Sequence, residues 1–192
     1  RGGQVRLCVV GNGPSAPKHA ESIDKCDVVV RVNSWPCDTA GRKWTVWASA
    51  FYPSIGQFAM GMHKLSPRIP KVSELWIFGE QPILDGLPLR ADVKRDHMPA
   101  VRRAELEELL GARPTGGFMA VIKALEREPT ELCLTGFDPE GGHWWTGGGL
   151  EWGGARCAEV HNLLREHSYY ADLVAGRECF GLKRPVRVEW WR

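Results

Sequence analysis

Short, almost wholly apolar runs recur along this chain, and segments of helical pattern separate them. VRLCVV (5–10) runs into the glycine loop GNGPS, and DVVVRVN (27–33), KWTVWAS (43–49), SELWIFG (73–79), ELCLTGF (131–137) and RPVRVEW (184–190) follow. Runs of this length bounded by turn residues read as buried strands. Between them, APKHAESIDKC (16–26) reads as a short helix and PAVRRAELEELLGA (99–112) as an amphipathic helix closed by Gly111. A further helix opens after Thr115, with Phe118, Val121, Ile122 and Leu125 on one stripe, and ARCAEVHNLLREHSYYADLVA (155–175) reads as the last. Residues 80–99 contain prolines and read as irregular, and seven glycines within 141–154 mark a mobile loop. Strands alternating with helices predict an α/β fold: one Rossmann-like domain over 1–192, with a mostly parallel sheet flanked by helices.

At 192 residues one core suffices. The net charge of +2, with scattered basic residues, makes no electrostatic case for nucleic acid. No apolar run approaches the roughly 20 residues that span a bilayer, and no signal peptide is seen. The chain starts almost directly on a strand, which suggests that upstream material has been removed. Cys8, Cys26, Cys37, Cys133, Cys157 and Cys179 are dispersed and include no Cys-x-x-Cys pair, so neither a disulfide scaffold nor a zinc site is expected, and a reducing compartment fits best.

In parallel sheets ligands gather beyond the carboxyl ends of the strands, where GNGPS, RVNSWP, RPTGG and GFDPEGGHWW are expected. Gly11 and Gly13 allow a backbone to come close to a ligand, and Asn12 brings an amide that donates and accepts. The loop is neither a dinucleotide fingerprint, because Val32 and Asn33 stand where an acidic residue is needed, nor a Walker loop. A purely structural turn is the competing reading. Arg31 and Asn33 share one strand face, which also suits a half-buried strand closing on polar residues.

Thr115 is a plausible N-cap, and Gly116 with Gly117 occupies a first turn where glycine costs roughly 1 kcal/mol per residue. First-turn N–H groups lack helical partners, so close approach of a phosphate is one explanation and a glycine-rich turn the other. His143, beside Trp144 and Trp145, suits ligand capture, whereas His161 sits at the margin of a helical stripe. Glu166 lies about 140° around that helix from His161, so a shared face does not bring them together. No Asp-x-Asp pair exists, so no metal or other cofactor is expected to neutralise a leaving group.

These segments together resemble the eukaryotic-type sialyltransferase family of glycosyltransferases. LCVVGNGPSAPKHAESIDKCDVVVRVNSWP is similar to that family's long motif and PTGGFMAVIKALEREPTELCLTGFD to its short motif. HWW (143–145) resembles the third motif, and HNLLRE (161–166) the His-x4-Glu of the last, with a spacing of 18 positions from one histidine to the other. The resemblance spans about 5–166 and implies a sialyltransferase-type variant of the GT-A-like fold. It also implies a donor activated by cytidine monophosphate (CMP). Asn12 and Asn33 would bind its phosphate and ribose, as would Thr115, Gly116 and Gly117, with Gly11, Gly13, Phe137 and Asp138 completing the nucleotide site. His143 would receive the departing phosphate and His161 would be the general base, with Arg31, Trp144, Trp145 and Glu166 in support.

Two departures narrow the expectation. Leu7 and Pro129 stand where the animal enzymes carry bridging cysteines, which favours a bacterial cytosolic relative over a Golgi enzyme. The segment 50–113 is short where acceptor-binding parts would lie. The expected donor sugar is sialic acid or the keto sugar Kdo, and the expected partner a glycan or glycolipid acceptor, with peripheral membrane association. Two rival readings are a non-catalytic nucleotide- or glycan-binding module and a magnesium-dependent pyrophosphokinase-like enzyme sharing the GNGPS loop.

Overall fold

The computed structural model describes residues 5–32, 40–49, 72–78, 92–139, 161–177, 180–182, 184–185 and 187–192. Among these, seven strands form one sheet: β1 (Arg6–Val10), β2 (Val28–Val32), β3 (Val46–Ser49), β4 (Glu74–Ile77), β5 (Lys94–His97), β6 (Glu131–Thr135) and β7 (Arg187–Trp191). Their order is β5-β4-β3-β2-β1-β6-β7, and every pair is parallel. The helices are α1 (Ala20–Asp24), preceded by a 3-10 turn over Ala16–His19, then α2 (Ala100–Leu110), α3 (Gly116–Leu125) and α4 (Leu163–Val174). The fold is therefore α/β and Rossmann-like, and the sheet is wholly parallel.

The sheet is covered on both faces because its central strands are apolar on both. Leu7 and Val9 of β1, with Val30 and Val32 of β2, join a core with Phe118, Val121, Ile122 and Leu125 of α3, Leu106 and Leu110 of α2, and Tyr170 and Leu173 of α4. Cys8, Val10 and Val29 face the other way, against Ala16, Ile23, Cys26, Trp44 and Trp47. Side-chain alternation in a strand produces this division. In α3 every residue from Gly117 to Leu125 is buried, so the helix lies in the interior. Each fully buried Leu, Ile, Val or Phe contributes about 1.5–3 kcal/mol.

The second core also holds three free thiols. Cys8 and Cys133 are register partners on β1 and β6, and both are buried, as is Cys26. Hydrogen bonding to Cys26 and then burial hold the Cys133 thiol far above its ordinary value, so it packs as a small hydrophobe.

Three expectations are corrected here. Part of the stretch read as irregular is β5, whose Lys94–His97 sequence is charged and mostly exposed. As an edge strand it needs no apolar face, and its Asp96 is held by Lys123 at 2.8 Å and Arg127 at 2.7 Å. Arg31 is fully buried, its Nε donating to the Lys43 carbonyl (3.0 Å) and its Nη2 to that of Ala40 (2.9 Å), with Trp44 beneath the guanidinium. It ties down the segment before β3. His161 is not on a helix, because α4 begins at Leu163 with Asn162 as its N-cap.

Candidate functional site at the head of helix α3

The strand order reverses about β1, whose neighbours are β2 and β6. At such a switch point the loops leave in opposite directions and a crevice opens beyond the strand ends. Here its floor is closed by backbone. Gly11 N–H donates to the Thr135 carbonyl and Gly13 N–H to that of Gly136, each at 2.8 Å. A Cβ on Gly11 would lie 2.3 Å from the Gly136 oxygen, and one on Gly13 would lie 2.1 Å from Asp138 Oδ2. The two glycines are thus required by the β6 loop itself, as the structural-turn reading expects.

Asp138 completes the same seam. Its Oδ2 accepts from Ser15 N–H at 3.0 Å and from Ser15 Oγ at 2.9 Å, and Ser15 Oγ in turn accepts from Gly136 N–H at 2.9 Å. The carboxylate oxygen expected at a nucleotide is committed to fully buried Ser15. Phe137 is likewise a packing residue. Its ring centroid is 5.2 Å from that of Tyr170, and its Cε1 would be 2.6 Å from a Cβ on Gly117. Asn12 is different. Its Nδ2 donates to the Val32 carbonyl at 3.3 Å, while its buried Oδ1 meets no donor among the described residues.

The head of α3 is built by Thr115. Its extended backbone (φ −69°, ψ 159°) ends the loop, and its Oγ1 accepts from Phe118 N–H at 3.0 Å, as an N-cap does. Glu166 then grips the same residue twice: Oε1 accepts from Thr115 N–H and Oε2 from Thr115 Oγ1, both at 2.7 Å. Among the described residues, the N–H groups of Gly116 and Gly117 donate to no acceptor. They are the open donors at the positive end of a buried helix.

His161 closes the other side of this loop. Its Nδ1 lies 2.7 Å from the Arg113 carbonyl oxygen, so Nδ1 carries the proton and Nε2 the lone pair. Burial holds its pKa below the ordinary histidine value and keeps the ring neutral at neutral pH. Asn162 adds a third tie, from Nδ2 to the Leu110 carbonyl at 3.3 Å, while its Oδ1 caps α4 on Arg165 N–H. His161 and Glu166 therefore do not need to touch each other. They hold successive parts of the 113–115 stretch.

Glu166 is only 2% exposed, and burial pushes its carboxyl up to about 7 against the two Thr115 hydrogen bonds. One turn on, the buried Tyr170 hydroxyl has no hydrogen-bond partner among the described residues. Burial and then the Glu166 charge hold its pKa well above the ordinary phenol value, while Thr115 acts the other way.

Of the expected site residues, the structure gathers Thr115, Gly116, Gly117, His161 and Glu166 at one helix head. Asn33, His143, Trp144 and Trp145 lie outside the described residues. The sequence reading missed Ser15, Asn162 and Tyr170. Asn162 carried a signal, an asparagine just before a periodic apolar run, and so did Tyr170, four residues after Glu166 on one helical face.

Among the described residues no group of three or more His, Cys, Asp or Glu is arranged to hold a metal, and no helix is long and apolar enough to cross a membrane. Neither a known protein-family model nor a curated protein sequence matches this chain.

Proposed function

We propose that this chain is a metal-independent inverting glycosyltransferase that moves a keto sugar, sialic acid or Kdo, from its CMP-activated form to a glycan hydroxyl. The observation carrying this reading is the lacing of His161 and Glu166 onto the loop that opens α3. The segments resembling the short and last sialyltransferase motifs thereby meet in space. An imidazole of defined tautomer holds the loop of a helix head whose first two N–H groups meet no acceptor among the described residues.

In this reading His161 Nε2 takes the proton of the acceptor hydroxyl as its oxygen attacks the anomeric carbon. The bond from that carbon to the phosphate oxygen breaks on the opposite face, and CMP leaves with the electron pair. The N–H groups of Gly116 and Gly117, with His143, receive the developing charge as preorganised donors. Asn12, with its unpartnered Oδ1, suits a hydrogen bond from the nucleoside. The acceptor is a glycan or glycolipid reached at the bacterial inner-membrane surface. A reducing cytoplasm suits the buried free thiols of Cys8, Cys26 and Cys133.

Calorimetric titration in chelator with cytidine, uridine and guanosine mono- and diphosphates tests this. Selective binding of CMP, and release of CMP from a CMP-sugar when acceptor is added, supports it. Binding without release supports a non-catalytic module. A magnesium requirement with purine preference supports the pyrophosphokinase-like alternative.

A further inference from the structure

The carboxylate of Glu166 is buried at the head of α3, and no described Lys, Arg or His forms an ion pair with it. Among the described residues, the charged and titratable groups around it are few. Arg113 lies on the loop it grips, His161 stands against the Arg113 carbonyl from just before α4, and the Arg113 cation acts on His161. Arg165, on its own helix, has its Nη1 near Gly111, and the fully buried Tyr170 lies one turn on. Among the described residues, what stabilises the ionised form is Thr115 and the positive helix terminus.

Thr115 has a single hydroxyl proton, and it is spent on Glu166 Oε2 while Oγ1 accepts from Phe118 N–H. A phosphate arriving at Gly116 and Gly117 would meet a second anion on the same half-charge and a hydroxyl turned away from it. Like charges sharing one site do not both stay ionised. Both conflicts end if the carboxylate gains a proton. Glu166 Oε2–H then donates to Thr115 Oγ1, which still accepts from Phe118, and the Thr115 O–H turns to a phosphate oxygen. The buried Tyr170 hydroxyl, which Thr115 also influences, has no hydrogen-bond partner among the described residues.

We propose that Glu166 is a proton-linked positioning residue. It fixes Thr115 while the α3 head is empty and takes one proton from solvent when a nucleotide phosphate seats there. This rests on the nucleotide reading given above. Burial, which lifts the carboxyl toward neutrality, puts the exchange within the working range.

The test is calorimetric titration of the full chain with the methyl diester of cytidine 5′-monophosphate, whose phosphate does not itself titrate near neutrality. It is run near pH 7.5 in two buffers of very different protonation enthalpy. The wild type is expected to show buffer-dependent heats corresponding to uptake of up to one proton. Glu166→Gln is expected to bind with equal heats in both buffers, and His161→Ala to keep the uptake. The wild-type buffer series decides the matter even if Glu166→Gln folds poorly. Binding without proton uptake in the wild type, or undiminished uptake in Glu166→Gln, overturns the inference and leaves the nucleotide reading standing. Failure of the diester and of CMP to bind at all overturns both.

Discussion

Gly11 and Gly136 face each other across the switch point so closely that a Cβ on either would lie 2.3–2.4 Å from the other's carbonyl oxygen. Neither backbone can withdraw, because Gly11 N–H and Gly13 N–H are bonded into the β6 end. Gly136 also has φ +73°, a conformation that side chains other than glycine rarely adopt. Gly136→Ala is expected to lower stability by at least about 2–3 kcal/mol, or to prevent folding. Chemical denaturation measures this. A stable Gly136→Ala protein would mean that the two loops are not in contact.

Asp138 and Ser15 allow the seam to be told apart from a ligand site. Asp138→Ala leaves the buried Ser15 N–H and hydroxyl without their acceptor, at a cost of about 1–3 kcal/mol. For a chain of this size each kcal/mol lowers Tm by roughly 2–4 °C. Affinity of the remaining folded protein for CMP is expected to hold. Unchanged Tm with lost nucleotide binding would return Asp138 to the ligand.

These two seams show what was legible in the residues and what was not. β1, β2 and β6 announced themselves because they are apolar on both faces, as a central parallel strand must be. Strand β5 did not, because an edge strand held by ion pairs can be Lys-Arg-Asp-His. The glycines of GNGPS signalled close approach correctly, but the partner is Gly136, far along the chain, and spacing alone does not distinguish a backbone from a ligand. The same holds for Gly117, whose neighbour is the Phe137 ring. His161 was read onto a helix because its flanks are periodic. The Asn162 cap overrides that pattern and frees the imidazole for the Arg113 carbonyl.

For His161, loss of a general base costs about 10²–10⁴-fold in rate. His161→Ala is expected to reduce turnover of a CMP-sugar by that order and to leave CMP affinity essentially unchanged. Because burial lowers its pKa, wild-type turnover at saturating donor should be flat near neutrality. It should fall only on the acid side, below the ordinary histidine value of 6.5, as the imidazole protonates. Rate measurements across pH decide it. Unchanged turnover in His161→Ala excludes the base role.

Glu166 has the opposite influence on stability with pH. Its folded-state pKa of about 7 exceeds the ordinary 4.5, so between these values the native state binds more protons than the unfolded chain. Its contribution is greatest below about 4.5 and is lost as pH rises to about 7, by up to about 3 kcal/mol. The Tm of Glu166→Gln relative to wild type should therefore climb between pH 5 and 8. Parallel melting curves provide the check, and a flat or falling difference would place a cation beside Glu166.

The central claim is that a cytidylate phosphate is received by the first turn of α3 and not by a bound metal. A crystal structure of the chain with CMP, grown in chelator, tests it most directly. The account predicts a phosphate oxygen within hydrogen-bonding distance of Gly116 or Gly117 N–H, with the Thr115 hydroxyl turned toward it. A phosphate bound away from that helix head, with Thr115 still donating to Glu166, would contradict it.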